Sequence, residues 1–232
     1  MQRHLPNLIT LLNLLFGCLA IVFLLNGAYR TVLYLFLGSV AMDYADGMVA
    51  RLLNVSSPVG KELDSLADMV SFGVVPGMIY FTLLGGSPGE LQGGLPVAGF
   101  IVTLFAAVRL AKFNLDERQT SDFIGLPTPS MTTFAVGLLA VVEQDLFGWR
   151  EFVLHPAFLL VCVVFFAWIM VAEFPMFSGK FKGFGWRGNE IRYIFAAIAL
   201  AWVIALGSAG FSFAILTYLL LAAGHFFLKK ST

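Results

Sequence analysis

The feature that most limits what this chain can become is a recurrence of apolar runs, each near the length of a bilayer crossing. A spanning helix needs about 20 such residues, because the hydrocarbon core is about 30 Å thick and a helix rises about 1.5 Å per residue. The runs fall at about 8–25, 31–52, 62–84, 94–113, 129–146, 156–174, 191–206 and 211–227. Turn formers separate them: Asn26-Gly27, the Gly-Gly-Ser-Pro-Gly run at 85–89, Gly148 and Gly207. Hydrophobic residues are 59% of the 232 and charged residues 12%, with a mean hydropathy of +0.88. A soluble domain carries about 25% charge. Too little polar surface is left to cover a water-soluble globule, which excludes a cytosolic enzyme, a disordered tail and a nucleic-acid binder. In lipid a backbone must satisfy its own hydrogen bonds, so the runs are read as helices. The expected fold class is an all-α polytopic membrane protein of about eight transmembrane helices. With no long linker in the chain, it is read as a single transmembrane catalytic domain over 1–232.

The basic residues orient these helices. Eight crossings return the chain to its starting side. That side then holds Arg3, Arg51, Lys61, Arg109, Lys112, Arg118, Lys180, Lys182, Arg187, Arg192, Lys229 and Lys230. The other side holds Arg30 and Arg150 alone. By the positive-inside rule both termini face the cytoplasm of a cell (inner) membrane. The first run lacks a small-residue cleavage site and is expected to stay as a helix. Cys18 and Cys162 sit inside apolar runs, and His4, His155 and His225 are scattered. Neither set has the spacing of a disulfide framework or a zinc site.

Four aspartates interrupt two neighbouring spans: Asp43 and Asp46 in the second, Asp64 and Asp68 in the third. Spacings of three and four put each pair on one helix face. Asp43 lies eight residues before Arg51, about 12 Å along the helix. Asp64 and Asp68 lie about 5–10 Å beyond Lys61 by the same rise. A short loop makes the helices antiparallel, so all four carboxylates reach one level near the cytoplasmic surface. A carboxylate within the bilayer costs roughly 2.5–3.5 kcal/mol on insertion scales, and four together repel. Divalent cations remove both penalties. Oxygen ligands without Cys or His suit magnesium or manganese, and two ions would suit phosphoryl chemistry. The plain alternative is a set of ion pairs with Arg51 and Lys61, in which two cations face four anions. Gly47, Ala50 and Gly60 share the aspartate faces and leave room for a ligand against the backbone. Their commoner use in membranes is helix packing. Arg51 can fork onto a phosphate.

The residues Asp43-x2-Asp46-Gly47-x2-Ala50-Arg51-x8-Gly60-x3-Asp64-x3-Asp68 resemble the full signature of the CDP-alcohol phosphotransferases. That family displaces CMP from a CDP-linked donor with an alcohol acceptor. The resemblance implies a six-helix core, two divalent ions and a homodimer. It implies that Asp43, Asp46, Asp64 and Asp68 hold metal, and that Asp68 is also the catalytic base. Gly47, Ala50, Arg51 and Gly60 would bind the nucleotide, to which a polar stripe on the first helix adds Asn7. Further stretches are similar to the family's membrane-integral branch that uses serine. They are Pro6-Asn7-x2-Thr10-x2-Asn13-x3-Gly17, the 71–76 run, Arg109-Leu110-Ala111-Lys112-Phe113-Asn114 and the 123–129 run. The implied substrates are CDP-diacylglycerol and L-serine, with membrane lipids as surroundings.

A serine carboxylate needs a cationic or amide donor. Arg109 and Asn114 lie at the level of the aspartates, with Lys112 and Arg118 nearby. The plain alternative for these cations is positive-inside topology with snorkelling side chains. Asn7, Thr10 and Asn13 form a polar stripe at the start of the first helix, either lining a nucleotide cavity or bonding between helices. Pro76 is expected to kink the third span. The 180–193 stretch, rich in aromatic and basic residues, is expected at the membrane interface. Two other functions fit the same acids: family chemistry on glycerol phosphate, inositol phosphate or choline, and divalent-cation transport. Transport has no evident need for the three small residues.

Overall fold

A computed structural model of the chain describes residues 4–55, 57–85, 94–116, 123–177 and 185–230, with side chains to Phe226. Lys180 and Lys182 lie outside the described residues, so the 180–193 stretch is seen only from Gly185 onward. Each of the eight apolar runs falls on a helical segment. The chain forms α1 (Leu5–Leu25), α2 (Tyr29–Leu52), α3 (Pro58–Asp68), α4 (Val75–Leu83) and α5 (Ile101–Leu115). It continues with α6 (Thr128–Gln144), α7 (Arg150–Leu154), α8 (Pro156–Val171), α9 (Glu190–Leu206) and α10 (Gly210–Lys230). Proline stands in the first turn of α1, α3, α4, α6 and α8, where its missing N–H has no intrahelical partner to lose.

Five segments are long and apolar enough to cross a bilayer: Leu5–Leu25, Tyr29–Leu52, Pro58–Leu83, Leu95–Leu115 and Glu190–Phe226. The last reverses at the Gly207–Ala209 turn, and Trp202 Nε1 donates to Thr217 Oγ1 across the resulting hairpin. Two apolar runs became something other than long lipid-facing spans. α8 is a 16-residue apolar helix, about 24 Å long. α6 is enclosed by its neighbours, with twelve of its 17 residues buried. Hydropathy reads this enclosure and a lipid environment alike, since both favour the same side chains.

α1 and α2 form an antiparallel hairpin closed at Asn26 and Gly27, where Gly27 takes φ 72. Around α6 pack α4, α10 and the pieces of the third span. Phe72, Tyr80, Ile79, Leu126, Met131 and Phe166 are among the fully buried side chains of this core. Hydroxyls tie α10 to its neighbours. Ser212 donates to the Phe134 carbonyl (2.9 Å), and Tyr218 to that of Phe177 (2.8 Å). Such bonds and close backbone contacts replace the hydrophobic drive that is absent between helices in lipid.

The third span is not one regular helix. A π-helical stretch, Met69–Val74, joins α3 to α4. Pro76 has no N–H for the Phe72 carbonyl that α geometry would offer it. The Thr132 hydroxyl of α6 lies 3.0 Å from that oxygen, and the Thr103 hydroxyl of α5 donates to Gly73 O at 2.9 Å. The irregularity is thus clamped from two sides. A two-residue ribbon, β1 (Phe123–Ile124) with β2 (Pro175–Met176), docks the 123–127 segment beside the end of α8.

Gly99, in the short 3₁₀ turn Leu95–Phe100, lies so close to α4 that an added Cβ would strike the backbone of Phe81 and Tyr80. Gly99→Ala is therefore expected to cost about 1–3 kcal/mol. Gly224→Ala, with open space around it, is expected not to lower stability. Thermal unfolding of the two variants in detergent checks this.

Candidate active site

The acids come from two antiparallel helices that meet at one end of the bundle. α3 starts where it does because Ser57 caps it, its Oγ accepting from Gly60 N at 2.9 Å, with Pro58 in the first turn. That start puts Asp64 and Asp68 one turn apart, facing the last turns of α2. Carboxylate oxygens of Asp43, Asp64 and Asp68 lie within 4.8 Å of one another, all three half-buried. Asp46 is more deeply buried and is turned toward α1, where the Thr10 hydroxyl donates to its Oδ2 at 2.5 Å. Asn13, one helical turn further along α1, donates from Nδ2 to Asp68 Oδ1 at 3.3 Å.

Two carboxylates at such a separation repel by about 3.5 kcal/mol or more, taking an effective dielectric constant of about 20. Among the described residues Arg30 and Glu143 form an ion pair at the opposite end of α2, and neither Arg51 nor Lys61 is paired with the clustered acids. Lys61 Nζ instead donates to the Asn114 carbonyl at 3.2 Å. Asp64 Oδ1 is buried and has no hydrogen-bond partner. An oxygen-only set with an orphaned buried oxygen fits a hard divalent cation.

Beside the acids opens a cavity of about 1260 Å³. Asp46 and Asp64 line it, with Gly47, Ala50, Gly60, Asn7, Thr10 and Lys61. A Cβ on Gly47 would meet only Arg51 Nη1, at 3.9 Å, so the backbone there is open. A Cβ on Gly60 would press on Ser57 Oγ and Asn7 Oδ1, at 3.0 and 3.1 Å. Arg51 is exposed at the end of α2, with its guanidinium beside Gly47.

The residues considered for an acceptor pocket are placed differently from one another. Asn114 Nδ2 donates to Ser65 Oγ at 2.8 Å, which ties the end of α5 to the residue after Asp64. Arg109 is buried. Its Nε donates to the Leu126 carbonyl at 3.3 Å, and its guanidinium lies 5.4 Å from the Phe113 ring centre. It thus holds the 123–127 segment that the ribbon docks. Lys112 is exposed, and Arg118 lies outside the described residues.

Sequence reasoning did not single out Ser39 and Ser71. Both hydroxyls donate to the Asn13 carbonyl, at 3.4 and 3.0 Å. A signal was present: Ser39 lies four residues before Asp43 and Ser71 three after Asp68, the spacings that share a helix face.

Fold and site together define a polytopic membrane protein whose facing spans present an acidic centre to a nucleotide-sized cavity. The sequence model of the CDP-alcohol phosphatidyltransferases matches residues 3–177. The chain belongs to this family. It is 34% identical over 184 residues to the CDP-diacylglycerol–serine O-phosphatidyltransferase of Bacillus subtilis, covering 76% of this chain and 93% of that one. It is 38% identical over 149 residues to the protein of the same name from Helicobacter pylori, covering 63% and 60%. The Saccharomyces cerevisiae protein of that name is 36% identical over 160 residues, covering 62% and 56%. The chain thus spans most of the Bacillus relative and about three fifths of the other two. Residues beyond 177, including α9 and α10, lie outside the family match.

Manganese is expected to raise the thermal unfolding midpoint of the purified protein, since a ligand at 100 times its Kd adds about 2.7 kcal/mol. Asp64→Asn should abolish that rise, and Lys112→Ala should keep it.

Proposed function

We propose that the chain transfers the phosphatidyl group of CDP-diacylglycerol to L-serine, giving phosphatidylserine and CMP. The observation that carries this is the convergence of Asp43, Asp64 and Asp68 next to a cavity bordered by Gly47, Ala50 and Gly60. The names of relatives at 34–38% identity support serine as the acceptor. In this proposal the whole chain, 1–232, works as one transmembrane catalytic domain. The bias of basic residues supports an inner membrane with both termini and the site on the cytoplasmic side. The family resemblance supports a homodimer.

Asp43, Asp46, Asp64 and Asp68 would hold two magnesium or manganese ions, which neutralise charge on the pyrophosphate and on the departing CMP. The remaining work falls to the chain's own residues. The small side chains of Gly47, Ala50 and Gly60 let the CDP moiety lie against helix backbone, with Asn7 at its edge. Arg51 forks onto a phosphate oxygen. Asn114, braced on α3, is the best-supported contact for serine, with Arg109, Lys112 and Arg118 as further candidates. Asp68 takes the proton of the serine hydroxyl. That oxygen then bonds to the β-phosphorus as the bond from phosphorus to the CMP oxygen breaks. The acyl chains stay in lipid throughout.

Purified protein supplied with CDP-diacylglycerol, L-serine and manganese is expected to release CMP and form phosphatidylserine. A donor carrying a chiral phosphorothioate should react with inversion. Asp68→Asn should cut turnover by about 10²–10⁴-fold, the usual worth of a general base, and still bind CDP-diacylglycerol. Preference for glycerol phosphate, inositol phosphate or choline over serine would refute the acceptor, and normal turnover by Asp68→Asn would refute the base.

A further inference from the structure

The first helix carries a motif that the proposed chemistry does not use, Asn13-x3-Gly17. Asn13 is fully buried, with 0% of its surface exposed. Its Nδ2 donates to Asp68 Oδ1, whereas its own Oδ1 has no partner. A carboxylate offers only acceptors, so the amide nitrogen is the end that can face it. The Asn13 carbonyl is fixed as firmly as the side chain. Ser39, from the helix of Asp43 and Asp46, and Ser71, from the span of Asp64 and Asp68, both donate to it. Gly17 makes this possible. A Cβ at Gly17 would fall on the Ser71 side chain, so only glycine lets that hydroxyl reach α1. One residue of α1 therefore touches both acid-bearing spans at the level of their carboxylates.

We propose that Asn13 is a positioning residue for Asp68: it holds one carboxylate oxygen so that the other faces the acceptor hydroxyl, with Ser39, Ser71 and Gly17 fixing its own place. This rests on Asp68 being the base. The bond constrains the angle of the Asp68 carboxylate, which is only one of the four acids proposed to hold cations. Loss of the amide should thus disturb proton transfer more than cation or donor binding. Removing a partner that orients a metal-ligating side chain typically costs about 10–100-fold in metal affinity or activity.

The test compares purified Asn13→Ala, Ser71→Ala and Asp68→Asn with the parent protein. Phosphatidylserine formation gives kcat and KM, and electron paramagnetic resonance of added manganese gives its Kd. For Asn13→Ala, kcat is expected to fall by about 10–100-fold, while the KM for CDP-diacylglycerol and the manganese Kd stay within about threefold. Ser71→Ala, which keeps the amide and loosens its anchor, should lower kcat by about 3–10-fold with the same split. A kcat for Asn13→Ala within about twofold of the parent would overturn the proposal, as would a loss of manganese affinity equal to the loss of kcat. If Asn13→Ala fails to fold, an unaltered kcat in Ser71→Ala overturns it. Asp68→Asn separates the two possible failures. Normal turnover there refutes Asp68 as base and the positioning role with it. Its loss of turnover beside an unaltered Asn13→Ala refutes the positioning role alone.

Discussion

Mutual repulsion of carboxylates in a poorly polarisable setting is the constraint on which the rest of this structure depends. Asp43, Asp64 and Asp68 would separate if their helices were free to rotate. Tertiary contacts prevent that rotation. Ser57 fixes where α3 begins, Asn114 ties α3 to α5, and Thr10 and Asn13 attach α1 to one acid on each neighbouring helix. The same repulsion makes an oxygen-only cluster of this kind suited to a hard divalent cation.

The π-helical stretch extends this bracing along the third span. It begins at the residue after Asp68 and ends just before Pro76. One end of the span must present acids to α2, and the other must bury Tyr80 and Ile79 against the core. Threonines from α5 and α6 take up the carbonyls that the irregular backbone offers. Backbone defects at membrane depth are tolerated where protein groups satisfy them, and here two helices do so.

Much of this was legible in the sequence. The eight apolar runs correspond to helices because bilayer thickness and helix rise fix a length. The aspartate pairs could be assigned to single faces because period alone decides that. What was hidden were facts of tertiary choice. Hydropathy did not distinguish α6, wrapped by other helices, from a span facing lipid. Pro76 signalled a break but not its π character, which depends on Thr103 and Thr132 being within reach. The polar stripe of α1 was visible, yet which acid each residue meets depends on the crossing of α1 with two other helices. Arg109 stands at the level of the acids, and its guanidinium points to the Leu126 carbonyl because the 123–127 segment docks there.

Whether neighbouring spans hold divalent cations between their acids, at the rim of the nucleotide cavity, can be read from anomalous diffraction of crystals grown with manganese. Two manganese peaks bounded by the carboxylates of Asp43, Asp46, Asp64 and Asp68 are expected. Manganese bound only elsewhere, with these side chains turned to separate protein partners, would overturn the two-ion site.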